Sequence, residues 1–285
     1  ASNITITDCV ISRCHYSGIL CDKTSNIKIT KCLIYHDWFG VYCNASFNIM
    51  IINCAIKDNS NGVLFRRSSD AAVVSCKIYW NRPGVCCFTS SNITIRNCVM
   101  RRNRLGVYCY KSFGITIRNN AFEGDRSYPD GVFLYGNELR HYASHTIEGN
   151  LVNGKPLRYI VNVTGPYEIS EAGQVIVVNS VYVKLRDLSL SDVFVGLEVA
   201  YSKDIWIESC TIGQYSPMRS TTKKCVMSVN EQGICCYKAF NVTIISCTIN
   251  RGELGIVCHE ASNITITDCV ISRCHYSGIL CDKTS

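Results

Sequence analysis

Apolar and polar residues alternate along this chain in short runs, and the runs return about every 22 residues. Cut at the recurring Asn-Ile-Thr-Ile pattern, the chain gives coils at 3–25, 26–47, 48–69, 70–91 and 92–113. Longer coils start at Gly114, Ser144, Ser180 and Asp204, and strict length returns at 241–262 and 263–285. Each strict coil has two strand-like pieces, for example 3–11 and 18–21. Period-two alternation puts Ile4, Ile6, Cys9 and Ile11 on one side and Thr5, Thr7 and Val10 on the other, with a corner at Asp8. The second piece opens on glycine (Gly18, Gly40, Gly62, Gly84, Gly106, Gly131, Gly196, Gly233, Gly255), which suits a tight bend. This period without a helical pattern predicts an all-β solenoid over 1–285, a single domain whose core is completed by stacking coil on coil.

Cysteine follows the same period. One column holds Cys9, Cys32, Cys54, Cys76, Cys98, Cys210, Cys247 and Cys269, with Asn120 in its place once. A second holds Cys21, Cys43, Cys87, Cys109, Cys236, Cys258 and Cys281. Phe65, Leu134 and Val199 fill that second place elsewhere, so it faces the core. Equivalent residues on stacked strands lie ~4.8 Å apart, within the Cα range a disulfide spans. Axial disulfides are therefore expected, with buried thiols packing as small hydrophobes the alternative. A line of cysteines does not converge as metal ligands do, so no metal or other cofactor is expected. Cys86 and Cys235 should point outward, and Cys14 and Cys225 fall in turns or loops. These four are candidates for cross-links outside the core.

Residues 1–25 and 261–285 are identical. The chain reads as a 260-residue unit, 1–260, plus the first coil of the next, 261–285, in phase with the repeat and with uncapped ends. Without the copied Cys269, Cys274 and Cys281 a unit holds 17 cysteines, an odd number that cannot all pair internally. Inserts stretch three coils near 122–143, 152–172 and 213–230, and such loops carry specific contacts on regular scaffolds.

The chain is 47% hydrophobic and 18% charged, which excludes a disordered polymer. No apolar run is long enough to span a membrane. Its net charge of +7 is scattered, as on a solvated surface that attracts acidic glycans or neighbouring subunits. No nucleic-acid partner is expected. Sequons at Asn3, Asn44, Asn92, Asn162, Asn241 and Asn263 are candidate glycosylation sites, although Asn-Ile-Thr also suits a turn entering a strand. No catalytic residue stands out. The positions after the second column (Asp22, Asn44, Arg66, Phe88, Tyr110, Tyr237, His259) gather no acidic cluster. Only the insert residues Glu123, Asp125, Arg126, Asp130, His141 and His145 offer one.

The coil pattern, and above all 153–157 (NGKPL), 172–179 (AGQVIVVN), Gly196-Leu197 and the strand after Asp204, resembles the NosD-like family of pectin-lyase-fold repeat proteins. The resemblance implies a right-handed parallel β-helix, an extracytoplasmic location and carbohydrate or surface roles. The family's named member helps to mature a copper enzyme, whereas this chain has few Met and His and a Cys-rich core. Its repetitive character looks more like a surface sheath or filament protein. The primary expectation is a structural subunit of an extracellular β-solenoid polymer, stacked end to end on copies of itself. The alternative is a polysaccharide-processing enzyme or glycan-binding adhesin at the cell surface.

Overall fold

The computed structural model describes residues 2–125, 127–212 and 230–284. It is an all-β right-handed parallel solenoid of about 12 coils of about 22 residues, and the one helix among the described residues is the single turn Arg140–Ala143. No described helix is long and apolar enough to cross a membrane. The chain forms two compact units, Ala1–Leu151 and Val152–Ser285.

In the first unit each coil supplies three strands. Sheet 1 stacks seven, from Ser2–Thr7 through Ser25–Thr30 to Thr146–Glu148. Sheet 2 stacks the short strands Val10–Ser12, Leu33–Tyr35, Ala55–Lys57, Lys77–Tyr79, Val99–Arg101 and Ala121–Glu123. Sheet 3 stacks six, from Ser17–Asp22 to Val132–Tyr135. All pairings are parallel and in register, as in Ile27↔Ile49 and Val63↔Val85. Period-two alternation sends Ile27, Ile29, Ile49, Ile51, Ile93 and Ile95 inward, where each is at most 3% exposed. The second unit repeats the scheme with a five-stranded sheet running from Thr164–Ile169 to Ser262–Thr267. Its core includes Val175, Val177, Leu197, Val199, Ile205, Ile244 and Ile256.

Three corners per coil leave backbone groups that no strand satisfies, and buried side chains answer for them. Between sheets 3 and 1, the amides of Ser46, Ser68 and Ser90 donate to the Oγ of Ser68, Ser90 and Ser112 (3.1, 3.1 and 3.0 Å). Those hydroxyls donate back to the carbonyls of Cys43, Phe65 and Cys87. Between sheets 2 and 3, Asp37, Asn59, Asn81, Asn103 and Asp130 form a second ladder, each amide donating to the next side-chain oxygen at 2.9–3.1 Å. Between sheets 1 and 2 stands the first cysteine column. The thiols of Cys54, Cys76 and Cys98 donate to Ile29, Ile51 and Val73 carbonyls at 3.6–3.7 Å. Asn120 continues that column by donating to the Ile95 carbonyl at 2.9 Å, so cysteine here performs an asparagine's task more weakly.

Four expectations change. All 19 described cysteines are free thiols, so the axial disulfides are not formed, and the first-column sulfurs are held in the corner ladder instead. Cys86 lies on the opposite face of its strand from Cys87 but is only 6% exposed, beside Leu64 and Tyr108 in register, and Cys235 is half-buried. Apart from Gly131, whose φ is 117°, the repeated glycines do not make the bends. A Cβ on Gly62 would stand 2.4 Å from the Gly84 carbonyl oxygen, so glycine is required by the closeness of the next coil. Residues such as Asp8, Asn53 and Arg102 make the bends, with φ of 54° at each. The insert at 152–172 is largely strand, Lys155–Val161 and Thr164–Ile169. The insert at 213–230, with Cys225, lies outside the described residues except for Asn230, which opens a strand.

Second-column Cys43, Cys87, Cys109 and Cys236 are fully buried. The hydrogen bond with the neighbouring thiol, together with burial, pushes Cys43 and Cys87 well above the ordinary thiol range. Native alkylation should therefore label Cys9 and Cys281, which are exposed, while these four react only in denaturant, as peptide mass mapping would record. Asn81→Ala orphans the Asn59 amide and the Ile56 carbonyl of the preceding coil and should lower stability by about 3 kcal/mol in urea unfolding. Burial raises the Asp130 carboxyl to about 7. The folded chain then holds a proton that the unfolded chain has released above about pH 4. Stability from this group is full below that pH and falls as pH rises through about 7. Asp130→Asn should flatten the melting temperature across that window.

Candidate functional site

The turn between sheets 2 and 3 of the first unit sends one residue inward as a ladder rung and turns its two neighbours outward. In successive coils the triplets are Arg13-Cys14-His15, His36-Asp37-Trp38, Asp58-Asn59-Ser60, Trp80-Asn81-Arg82 and Arg102-Asn103-Arg104. The first residue of each has φ between 54° and 60°. The outward residues stack into two rows. In one of them Ser60 stands between Trp38 and Arg82, and this short side chain leaves a dip. A cleft of about 1050 Å³ opens there, lined by Arg13, His15, His36, Trp38, Asp58, Ser60, Trp80, Arg82 and Tyr128. Trp38 is 59% exposed and Trp80 42%. Tyr128, from the 122–143 insert, donates one wall. The Arg82 guanidinium donates to its hydroxyl at 3.1 Å and lies 5.4 Å over its ring.

Of the cleft's carboxyls, one is buried and the other is paired. Asp37 accepts from the Cys14 amide at 2.6 Å, and burial raises its pKa. Its other oxygen is buried, with no hydrogen-bond partner among the described residues. Asp58 pairs with Lys57 at 3.5 Å. Burial, with Asp37 next to it, raises the Cys14 thiol. Among the described residues no group of three His, Cys, Asp or Glu side chains is placed to hold a metal ion. This arrangement presents indole faces, cationic and hydroxyl donors, and a shallow floor.

The polar insert residues do not converge. Glu123 accepts from Arg101 Nε at 2.7 Å and Asp125 pairs with Arg102 at 2.8 Å. Asp130 is a ladder rung, and both histidines are structural. His141 Nδ1 accepts from the Glu138 amide, and His145 Nδ1 accepts from the Ile115 amide. Burial lowers His145 to about 4, so it stays neutral. Arg126 lies outside the described residues. After the second column, Phe88 stacks on Tyr110 at 4.3 Å and Tyr110 on Tyr135 at 5.6 Å, so these rings bury their faces against one another. The sequon asparagines fall into outer ladders. Asn26 donates to Asn3, Asn44 to Asp22, Asn92 to Asp70, Asn179 to Asn162, and Asn263 to Asn241.

The cleft was not singled out from the sequence. Its signal was there, in bulky or charged residues on both sides of one inward position at the coil period.

The family described as right handed beta helix region matches residues 1–157 and 172–285. Among solved structures, the mannuronan C-5 epimerase AlgE6 A-module of Azotobacter vinelandii is 15% identical, with 95% of this chain and 80% of that one covered at a TM-score of 0.45. The family 28 exopolygalacturonase of Yersinia enterocolitica is 10% identical, with 93% and 60% covered at 0.39. The surface adhesin PfbA of Streptococcus pneumoniae is 9% identical, with 95% and 84% covered at 0.31. No curated protein matches the chain. With all but 158–171 matched, the chain belongs to the right-handed β-helix family.

Proposed function

We propose that the protein is a glycan-binding β-helix that acts at a cell surface and holds a carbohydrate chain in the cleft between Trp38 and Trp80. The observation that carries this reading is the pair of exposed indoles that line one cleft from its two rows, Trp38 next to Ser60 in one and Trp80 next to Asp58 in the other. Large apolar surface left in water is costly unless a partner covers it, and a pyranose offers flat C–H faces that match an indole. Arg13, His15, His36 and Arg82 around the rim supply donors for hydroxyl or acidic groups. Binding is favoured over cleavage because glycoside hydrolysis needs two carboxyls open to the scissile bond, whereas Asp37 is buried and Asp58 pairs with Lys57.

A second reading, the structural subunit of an extracellular solenoid polymer, draws on the 25-residue segment that recurs at 1–25 and 261–285 and pairs coil to coil in both places.

Trp38→Ala and Trp80→Ala should each weaken binding of a recognised oligosaccharide about tenfold, a loss of about 1.4 kcal/mol, with melting unchanged. Screening the purified chain on a glycan array and titrating the hits by calorimetry would measure this. A double variant that binds as well as the wild type would overturn the assignment.

A further inference from the structure

A groove lies beside the cleft on the outward side of sheet 2. Its volume is about 750 Å³, and Lys77, Tyr79, Val99 and Arg101 line its floor. Strand alternation makes that floor. Ile78 and Met100 are buried in the core, so the residues on either side of each face outward, and Val99 is 41% exposed. Trp80 lines the groove and the cleft alike, so one exposed indole stands between the two. The 122–143 insert joins them a second time. Asp125 lines the groove and pairs with Arg102 at 2.8 Å. Tyr128 lines the cleft and accepts from Arg82 at 3.1 Å, while its amide donates to Asp125 Oδ1 at 3.1 Å.

We propose that the groove is a second glycan subsite, so that the protein holds an interior stretch of a linear polysaccharide running from the Trp38 cleft past Trp80 onto sheet 2. This rests on the glycan reading of the cleft. A pocket of roughly 300–1,000 Å³ already buries one small ligand, so cleft and groove together exceed what a short sugar fills. The groove's polar groups suit hydroxyls. Arg101 Nε donates to Glu123 at 2.7 Å and Arg102 pairs with Asp125, which twice sets a donor beside an acceptor. Neighbouring sugar hydroxyls give and take hydrogen bonds in the same pattern. The four side chains are 38–59% exposed, and ion pairs this open are weak, so hydroxyls enter them at little cost. Val99 and the Trp80 ring supply the apolar surface for the sugar's C–H groups. A chain already seated in the cleft meets the groove at high effective concentration, so even a weak second contact raises affinity.

The test is binding against chain length. Dextran, xylan and polygalacturonate are run against the full chain by affinity electrophoresis, and size-fractionated oligomers of whichever binds are titrated by calorimetry. Affinity should rise with length in two steps, the second at least tenfold. The double variant Arg101→Ala with Glu123→Ala removes one pair without leaving a lone charge. It should erase the second step, while short oligomers bind as they do to the wild type and melting is unchanged. Lys77→Ala, on the same floor, should weaken long oligomers alone, whereas Trp38→Ala should weaken every length. Affinity that stops rising after the first step, or a double variant that keeps the second, would overturn the second subsite and leave the cleft reading intact. A Trp38→Ala chain that binds every length as the wild type does, or no retardation by any of the three polysaccharides, would overturn the glycan reading and the subsite with it.

Discussion

The backbone at the corners governs this structure. A parallel coil must turn three times, and each turn leaves amides and carbonyls that the sheets do not reach. Buried and unpaired, each would cost about 1–3 kcal/mol. The chain answers with inward side chains that accept from an amide of the preceding coil and donate to a carbonyl of that same coil. Serine does this at one corner, asparagine and aspartate at the second, cysteine and asparagine at the third. Every rung needs its neighbours at the same height, and this fixes both the coil period and the register.

The same constraint builds the surface. An inward rung forces the residues on either side outward, and the stacked coils bring those residues into rows. Trp38, Ser60 and Arg82 adjoin because Asp37, Asn59 and Asn81 are rungs of one ladder. The cleft is thus a by-product of the corner, with its content set freely by flanking residues that bear no duty to the core. Where the rung is a carboxyl, as at Asp37 and Asp130, the ladder also becomes sensitive to protons, because burial favours the neutral acid.

Cysteine divides into two roles under one period. In the first column the thiol stands at a corner and donates to a carbonyl of the preceding coil. In the second it fills a core position that Phe65 and Leu134 fill elsewhere, and space alone recommends it. Equal spacing in sequence concealed that difference.

The sequence alone determined the period, the parallel stacking, the inward face of each strand and both cysteine columns, since these follow from local alternation repeated at fixed length. It also contained the serine and asparagine ladders at the same period, although polar residues in turns do not announce that they are buried. Only the tertiary structure decided which turn residue points inward, that Cys86 is covered beside Tyr108, and that glycine at Gly62 answers the Gly84 carbonyl instead of making a bend. It alone brought Tyr128 to Arg82 across 46 residues and left Trp38 in solvent. The reason is physical. Strand alternation is a property of one segment, whereas burial at a corner and the shape of a cleft depend on what the neighbouring coils place beside it.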